Sequence, residues 1–230
     1  MRIVRTKRGA RIVEDDVIVS EIVSAPGPTH TLFDALAACV TALAPGPRFA
    51  LLGFAGGGMV APLRALGWEH PVRAVDLSRE GERLFRSLAG DWAGEVRVDE
   101  QDAAAWLRGS AARWDVVCED LSVPGPAGTV KPYVSFDPLP QLVKRRLAPG
   151  GVAITNLLPL PGTSWPSLIA RVAHPHRQAL VATLEEYDNR FVIAGNDLPD
   201  AREAARRVRA ALRGIGSSQS GKVSFRTLFR

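Results

Sequence analysis

Acidic residues follow three separate apolar runs that predict buried strands. Asp76 ends the run VRAVD, Asp102 follows EVRVDEQ, and Glu119 with Asp120 ends WDVVCED. Parallel strands end at one edge of a sheet, and open α/β sheets bind ligands at that edge, so we expect these carboxylates to border one pocket. A carboxylate there accepts paired hydrogen bonds from ribose hydroxyls or takes a proton from an amine. Asp102 also suits the cap of a helix, and both roles stay open for it.

The stretch before these acids is rich in glycine. In ALLGFAGGGMVAPL, residues 50–63, glycine occupies four of the six positions from Gly53 to Gly58. Such a cluster after a buried strand permits a tight turn and lets a ligand approach the backbone at a helix N-terminus. Two phosphate-binding patterns are disfavoured, because a G-x-G-x-x-G fingerprint needs glycine where Ala55 stands and a P-loop needs a Lys-Ser/Thr pair that is absent. The turn therefore predicts close approach of a ligand of another kind.

Alternating strands and helices would position these residues. After a helix over 32–43, each of four apolar runs is followed by a helical pattern, which predicts a parallel sheet covered by helices. The pairs are RFALLGF with helix 58–67, VRAVDL with helix 79–89, EVRV with a short helix at AAAWLRG, and WDVVCEDL with helix 137–147. The predicted fold class is therefore α/β.

The final third of the chain predicts the other edge of the sheet. It contains the run GGVAITNLL, a helix over 165–173, and the β-rich runs QALVATLEEY and RFVIAG. Asp188 and Asn189 separate the last two runs, and such residues favour turns, so we predict an antiparallel hairpin. A solvated surface helix is expected over 200–213, with five arginines away from its apolar stripe. The tail that follows is expected either to add an edge strand or to stay mobile.

The N-terminal stretch differs in pattern from the rest. The pieces RIV, ARIV and VIVSEIV predict a small antiparallel hairpin or meander, and APGPT then breaks the chain. We therefore divide the chain into an N-terminal β-hairpin or meander at 1–25, an α/β domain at 26–213 and a tail at 214–230.

Composition argues against several classes of protein. The 230 residues are 46% hydrophobic, enough to bury a substantial core. Lys and Arg number 29 against 24 Asp and Glu, but no nucleic-acid-binding signature accompanies the net charge of +5, so we expect no nucleic-acid partner. Cys39 and Cys118 lie far apart in apolar runs, which predicts neither a disulfide framework nor a metal site. No apolar run suits a signal peptide or a membrane span, so we expect a cytoplasmic protein without a membrane partner.

The ordered series of motifs resembles the spermidine synthase-like branch, the polyamine aminopropyltransferases, of class I S-adenosylmethionine-dependent transferases. The resemblance extends from about Arg48 to Gly195 and is carried by LLGFAGGG, RAVDLS, QDAAAWL, WDVVCEDLSVPGPAG, LAPGGVAITNL and LEEYDNRFVIAG. It implies a Rossmann-like class I methyltransferase fold, with a mostly parallel seven-stranded sheet and an antiparallel C-terminal hairpin. The N-terminal β-segment is similar to the small β-domain of aminopropyltransferases, which often contributes to a dimer, so a homodimer is an expectation.

The same resemblance implies roles for individual residues. The glycine turn would contact the donor tail, Asp76 would bind the ribose, and Asp102 would border the adenine. Asp120 falls at the position of the family's catalytic aspartate and would bind an amine and accept its proton. The implied co-substrate is S-adenosylmethionine or its decarboxylated form, without a metal. The implied co-substrate-binding residues are Gly53, Ala55, Gly56, Gly57, Asp76, Leu77, Asp102 and Ala103.

Two positions bear on which reaction this scaffold carries out. Gly56 and Val123 stand where spermidine synthases usually carry acidic residues that bind the decarboxylated donor and the diamine acceptor. The acidic strand end and the N-terminal β-segment favour aminopropyl transfer to an amine, whereas Gly56 and Val123 favour methyl transfer to a small molecule. A third hypothesis is a non-catalytic nucleoside-binding homologue, because a fold does not establish an activity. In both enzymatic hypotheses the partner is a small-molecule amine or another small acceptor.

Overall fold

Three short antiparallel strands open the chain, as its β-rich N-terminal pieces predict. The computed structural model describes residues 2–14, 17–125 and 128–229. The first strands are β1 (Arg2–Thr6), β2 (Gly9–Glu14) and β3 (Val17–Val23), paired in that order. Ile12 of β2 and Ile22 of β3 are buried in the same apolar cluster as Phe33 and Phe54. The N-terminal sheet therefore packs directly onto the larger part of the molecule.

The remaining strands alternate with helices along the chain. The helices are α1 (Leu32–Leu43), α2 (Val60–Ala65), α3 (Glu80–Ala89), α4 (Ala103–Gly109), α5 (Leu139–Arg146), α6 (Trp165–Ala173) and α7 (Ala201–Gly214). The strands are β4 (Phe49–Leu52), β5 (Val72–Asp76), β6 (Val96–Glu100), β7 (Trp114–Glu119), β8 (Val123–Gly125), β9 (Gly128–Val130), β10 (Leu147–Leu157), β11 (Gln178–Leu184), β12 (Tyr187–Gly195) and β13 (Val223–Phe229). Helix α2 begins later than predicted because the backbone still turns at Gly57, where φ is +68°.

A mostly parallel sheet lies at the centre. Within the described ranges it has eight strands in the order β13-β11-β12-β10-β7-β4-β5-β6. The five strands from β10 to β6 in this order are parallel neighbours, while β12, β11 and β13 are antiparallel. The seven predicted strands are thus present. Strand β13 adds an eighth at the edge beside β11, one of the two outcomes expected for the tail.

Helices cover both faces of this sheet. Phe49 and Leu51 of β4 pack in the same apolar cluster as α1, whereas Ala50 and Leu52 pack with α4 and α5. This alternation follows from the two-residue period of a strand, and it explains why β4 is apolar at every position. Burial on both faces fixes the strand ends, and with them the residues at the carboxyl edge.

The predicted turn at Asp188 and Asn189 is wrong. Strands β11 and β12 stay paired up to Leu184 and Tyr187, so the connection consists of Glu185 and Glu186, both exposed. Asn189 lies inside β12 and is buried, and its side-chain amide is hydrogen bonded. Turn propensity favoured Asp-Asn, but a long-range side-chain contact holds Asn189 in the sheet instead.

Candidate active site

A cavity of about 470 Å³ opens at the carboxyl edge of the sheet. Small-molecule pockets typically span roughly 300–1,000 Å³, so this volume suits a small ligand. Its walls include the ends of β4, β5, β7 and β10, together with residues of β3, β8 and β9. Of the site residues predicted from sequence, the lining contains Gly53, Ala55, Asp76, Leu77, Asp102, Ala103 and Asp120. Gly56 and Gly57 are not among the lining residues.

The glycines of the turn are crowded by the protein itself. A Cβ at Gly53, where φ is +90°, would lie 2.7 Å from the carbonyl oxygen of Asp120. At Gly56 a Cβ would lie 2.7 Å from Ile12 Cδ1, and at Gly57 it would lie 2.6 Å from the ring of Phe54. Backbone conformation and packing therefore exclude a side chain at Gly53 and at Gly57, where φ is +68°, whereas at Gly56 the ends of neighbouring side chains would have to move. The sequence pattern suggested a ligand as the cause, but the backbone conformation and the packing account for glycine at Gly53 and Gly57 without one.

Asp76 joins the glycine turn to the end of β5. One oxygen of its carboxylate, Oδ2, accepts hydrogen bonds from the backbone N–H groups of Phe54 and Ala55, each at 2.8 Å. The other oxygen, Oδ1, accepts a longer bond of 3.3 Å from Ser78 N. The next residue, Leu77, lines the cavity with 68% of its surface exposed. An apolar side chain exposed at a cavity rim offers a surface for a flat apolar ligand group.

Asp102 caps a helix at the cavity rim. Its Oδ1 accepts a hydrogen bond of 2.8 Å from Ala105 N, and Ala103 forms the first turn of α4. Capping is thus one of the two roles that the sequence left open. A carboxylate has a second oxygen, and Asp102 lines the cavity, so the cap and a ligand contact are compatible.

Asp120 follows β7 directly and belongs to a chain of side-chain hydrogen bonds. Asn156 of β10 donates from Nδ2 to Asp120 Oδ1 at 2.7 Å. Asn189 of β12 in turn donates from Nδ2 to Asn156 Oδ1 at 2.9 Å. Sequence reasoning missed both asparagines, although an amide inside the apolar run of β10 was a signal for Asn156.

The surroundings of Asp120 change its affinity for a proton. The pKa of its carboxyl is raised to about 6: burial and, to a smaller extent, the nearby charge of Glu119 raise it, while Lys131 and the Asn156 hydrogen bond act in the opposite direction. The carboxylate is therefore mostly ionised at neutral pH and yet accepts a proton more readily than an ordinary aspartate.

Glu119 lies next to Asp120 but has a different environment. Its buried Oε1 accepts hydrogen bonds from Lys131 Nζ at 2.9 Å, Ser135 Oγ at 3.1 Å and Leu121 N at 2.9 Å. Lys131 is also buried and donates to the carbonyl of Leu121 at 2.7 Å. Of these two acids, Asp120 lines the cavity, and Glu119 anchors the segment that contains β8 and β9.

Comparisons with solved structures reveal the fold. No protein-family model matches the chain, and no curated protein sequence does. Human methyltransferase-like protein 13 in complex with SAH is similar with a TM-score of 0.61 and 19% identity, over 80% of this chain and 90% of that one. Spermidine synthase from Thermotoga maritima is similar with a TM-score of 0.63 and 10% identity, over 95% of this chain and 79% of that one. The chain has a Rossmann-like class I methyltransferase fold.

A third structure, the SAM-dependent methyltransferase from Agrobacterium tumefaciens, has a TM-score of 0.57 and 15% identity, over 79% of this chain and 69% of that one. Methyltransferases and a spermidine synthase are thus similar to the chain at comparable levels. At these identities the likeness establishes the fold and leaves the reaction to the site itself.

Two further observations concern metals and membranes. The described residues contain no group of three or more His, Cys, Asp or Glu side chains placed to hold a metal ion. Across the same ranges, none of the helices combines the length and apolar character needed to cross a membrane.

Proposed function

We propose that the protein is an alkyltransferase that uses S-adenosylmethionine or its decarboxylated form to alkylate an amine of a small molecule. The observation that carries this proposal is that Asp76, Asp102 and Asp120 all line one cavity, with the pKa of Asp120 raised to about 6. Perturbed carboxyl groups in a cleft are typical of catalytic sites.

The residues at one end of the cavity suit the adenosyl part of the donor. This donor end consists of Asp76, Leu77, Asp102 and Ala103. Asp76 Oδ1 accepts a single hydrogen bond, 3.3 Å long, from the described residues, and it has room to accept a ribose hydroxyl. Leu77 offers an exposed apolar surface to the flat adenine ring. The donor would supply a sulfonium, from which an alkyl carbon is transferred.

The residues near Asp120 suit an amine acceptor. This acceptor end consists of Asp120, Asn156 and Asn189. An amine is mostly protonated at neutral pH, and the Asp120 carboxylate binds the ammonium and then accepts its proton. The amine lone pair becomes free to form the new carbon–nitrogen bond as the carbon–sulfur bond breaks. Orientation of the two substrates supplies much of the remaining rate, worth roughly 7–11 kcal/mol in well-oriented reactions.

Methyl transfer from intact S-adenosylmethionine is a second candidate function, and Gly56 favours it. The side-chain direction at Gly56 is filled by Ile12, Ser20 and Ile22. An acidic side chain that would select the decarboxylated donor would have to displace these side-chain ends, so the packing at Gly56 disfavours it. Aminopropyl and methyl transfer share the same cavity and the same base, so the experiment must separate them.

Ligand binding followed by product analysis tests the proposal. Calorimetry should detect binding of S-adenosylmethionine, its decarboxylated form or 5′-methylthioadenosine to the intact chain. Mass spectrometry of amines incubated with the bound donor should show an added methyl or aminopropyl group. The variant Asp120→Asn should lower the transfer rate by about 10³-fold, within the range of general-base contributions, and keep donor affinity.

The control is Asp188→Asn, which changes an exposed aspartate of β12 outside the cavity lining. It should leave both binding and transfer unchanged. Failure of all three nucleosides to bind would remove both enzymatic hypotheses. Donor binding with an unchanged transfer rate in Asp120→Asn would overturn the role of that residue.

A further inference from the structure

Ser20 is a buried polar residue on the wall of the cavity. It lies on β3 of the N-terminal sheet, is 1% exposed and lines the cavity. Its hydroxyl oxygen is buried and has no hydrogen-bond partner among the described residues. Most buried polar groups in proteins are hydrogen bonded, so an unpartnered hydroxyl at a cavity wall points to a ligand.

The surroundings of Ser20 place this hydroxyl beside the glycine turn. A Cβ built on Gly56 would lie 2.9 Å from Ser20 Oγ. The same Cβ would lie 2.7 Å from Ile12 Cδ1 and 3.0 Å from Ile22 Cδ1, so the hydroxyl stands in otherwise apolar surroundings. A side chain from the N-terminal sheet therefore fills the position that a residue of the turn would otherwise occupy.

We propose that Ser20 binds the charged tail of the donor through a hydrogen bond from or to its hydroxyl group. This inference rests on the proposed function, in which the donor occupies the cavity that Ser20 lines. Because a hydroxyl both donates and accepts, Ser20 can accept from the donor's ammonium and can donate to the carboxylate of the intact donor. The residue is neutral, so it accommodates both charges, whereas an acid at Gly56 would repel the carboxylate.

The N-terminal sheet thereby gains a role in the site. Residues Ile18 and Val19 of the same strand also line the cavity, and they extend this wall with apolar surface. Ser20 is the polar member of that wall in β3, so it is the residue through which the sheet would recognise a charged group.

The test compares Ser20→Ala with the intact chain, using three nucleosides that differ in the tail. S-adenosylmethionine and its decarboxylated form carry charged tails, while 5′-methylthioadenosine carries none. Calorimetry should show that Ser20→Ala weakens binding of the two tailed ligands by about tenfold and leaves the affinity for 5′-methylthioadenosine unchanged. The control Ser24→Ala changes an exposed serine just after β3 and should alter none of the three affinities.

The outcomes separate this inference from the proposed function. If the intact chain binds none of the three nucleosides, the proposed function fails and the inference fails with it. If the intact chain binds them but Ser20→Ala weakens all three equally, or weakens none, the proposed function stands and the role of Ser20 is overturned. Thermal denaturation of Ser20→Ala verifies folding, and because the lost hydroxyl has no partner in the described structure, we expect an unchanged or higher melting temperature.

Discussion

The donor end and the acceptor end of the cavity hold their carboxylates by different means. At the donor end, Asp76 and Asp102 accept hydrogen bonds from backbone N–H groups of the glycine turn and of α4. At the acceptor end, Asp120 accepts from the side chain of Asn156, which is itself held by Asn189. The first arrangement fixes a position for binding. The second, together with burial, adjusts the proton affinity of a carboxyl group.

The two ends of the cavity should differ in how well they tolerate substitutions of side chains. Backbone donors are present whatever the side chains, so the donor end depends on the path of the chain. The acceptor end depends on side chains from three strands and on the buried pair of Glu119 and Lys131 beneath it. Substitutions of single side chains should therefore damage the acceptor end more than the donor end.

The largest effect on stability is expected from Lys131→Met. Removal of the ammonium leaves Glu119 buried without its counter-charge, and breaking one partner of a buried pair typically costs about 3–5 kcal/mol. We expect the free energy of unfolding, measured with denaturant, to fall by about 3 kcal/mol. The double variant Glu119→Gln with Lys131→Met removes both charges and should recover part of this loss.

The matched control is Lys144→Met, which removes a lysine that donates to Asn196 at the surface. Its loss should change the free energy of unfolding by less than about 1 kcal/mol. Equal effects at the two lysines would contradict the view that the buried pair supports the acceptor end.

A pH-dependent effect of up to about 3 kcal/mol is expected from the raised pKa of Asp120. Its pKa in the folded protein is about 6 against an ordinary value of 3.8, so the folded state binds more protons than the unfolded state between these values. Stability due to this group is therefore lost as the pH rises from about 4 to about 6. Because Asp120→Asn does not titrate, its free energy of unfolding should exceed that of the parent chain increasingly across this window. A difference that stays constant with pH would contradict the raised pKa.

The parts of the fold that sequence predicted depend on local signals. Helices α1 and α6 have the predicted bounds. Their bounds are set by apolar spacing and by the caps at Thr31 and Ser164, which are signals contained within the helix and its immediate neighbours in sequence. The three acidic positions were found because each lies at the end of a strand or within two residues of it, and strand ends share an edge in a parallel sheet. The sequence predicted Asp76 and Asp102 at the donor end and Asp120 at the acceptor end, but not the hydrogen-bond partners by which the two ends differ.

The missed features depend on contacts between distant segments. Asn156 and Asn189 are separated by 33 residues, and only the antiparallel pairing of β10 with β12 brings them together. Ser20 reaches the cavity because the N-terminal sheet packs on the glycine turn. The sequence pattern attributed the glycines to a bound ligand, although side chains of the protein itself, among them Ile12 and Phe54, already crowd these positions. Local patterns carry no information about which distant atoms will be close.

The smallest effect is expected at the donor end, from Asp102→Ala. Loss of a helix cap costs about 1 kcal/mol, and Asp200 caps α7 in the same way, accepting from Glu203 N at 2.8 Å. Asp102→Ala and Asp200→Ala should therefore lower the free energy of unfolding by similar amounts. They should differ in ligand binding, because Asp102 lines the cavity. We expect calorimetry to show weaker binding of 5′-methylthioadenosine in Asp102→Ala and unchanged binding in Asp200→Ala. Equal affinities in the two variants would restrict Asp102 to its capping role and remove it from the donor end.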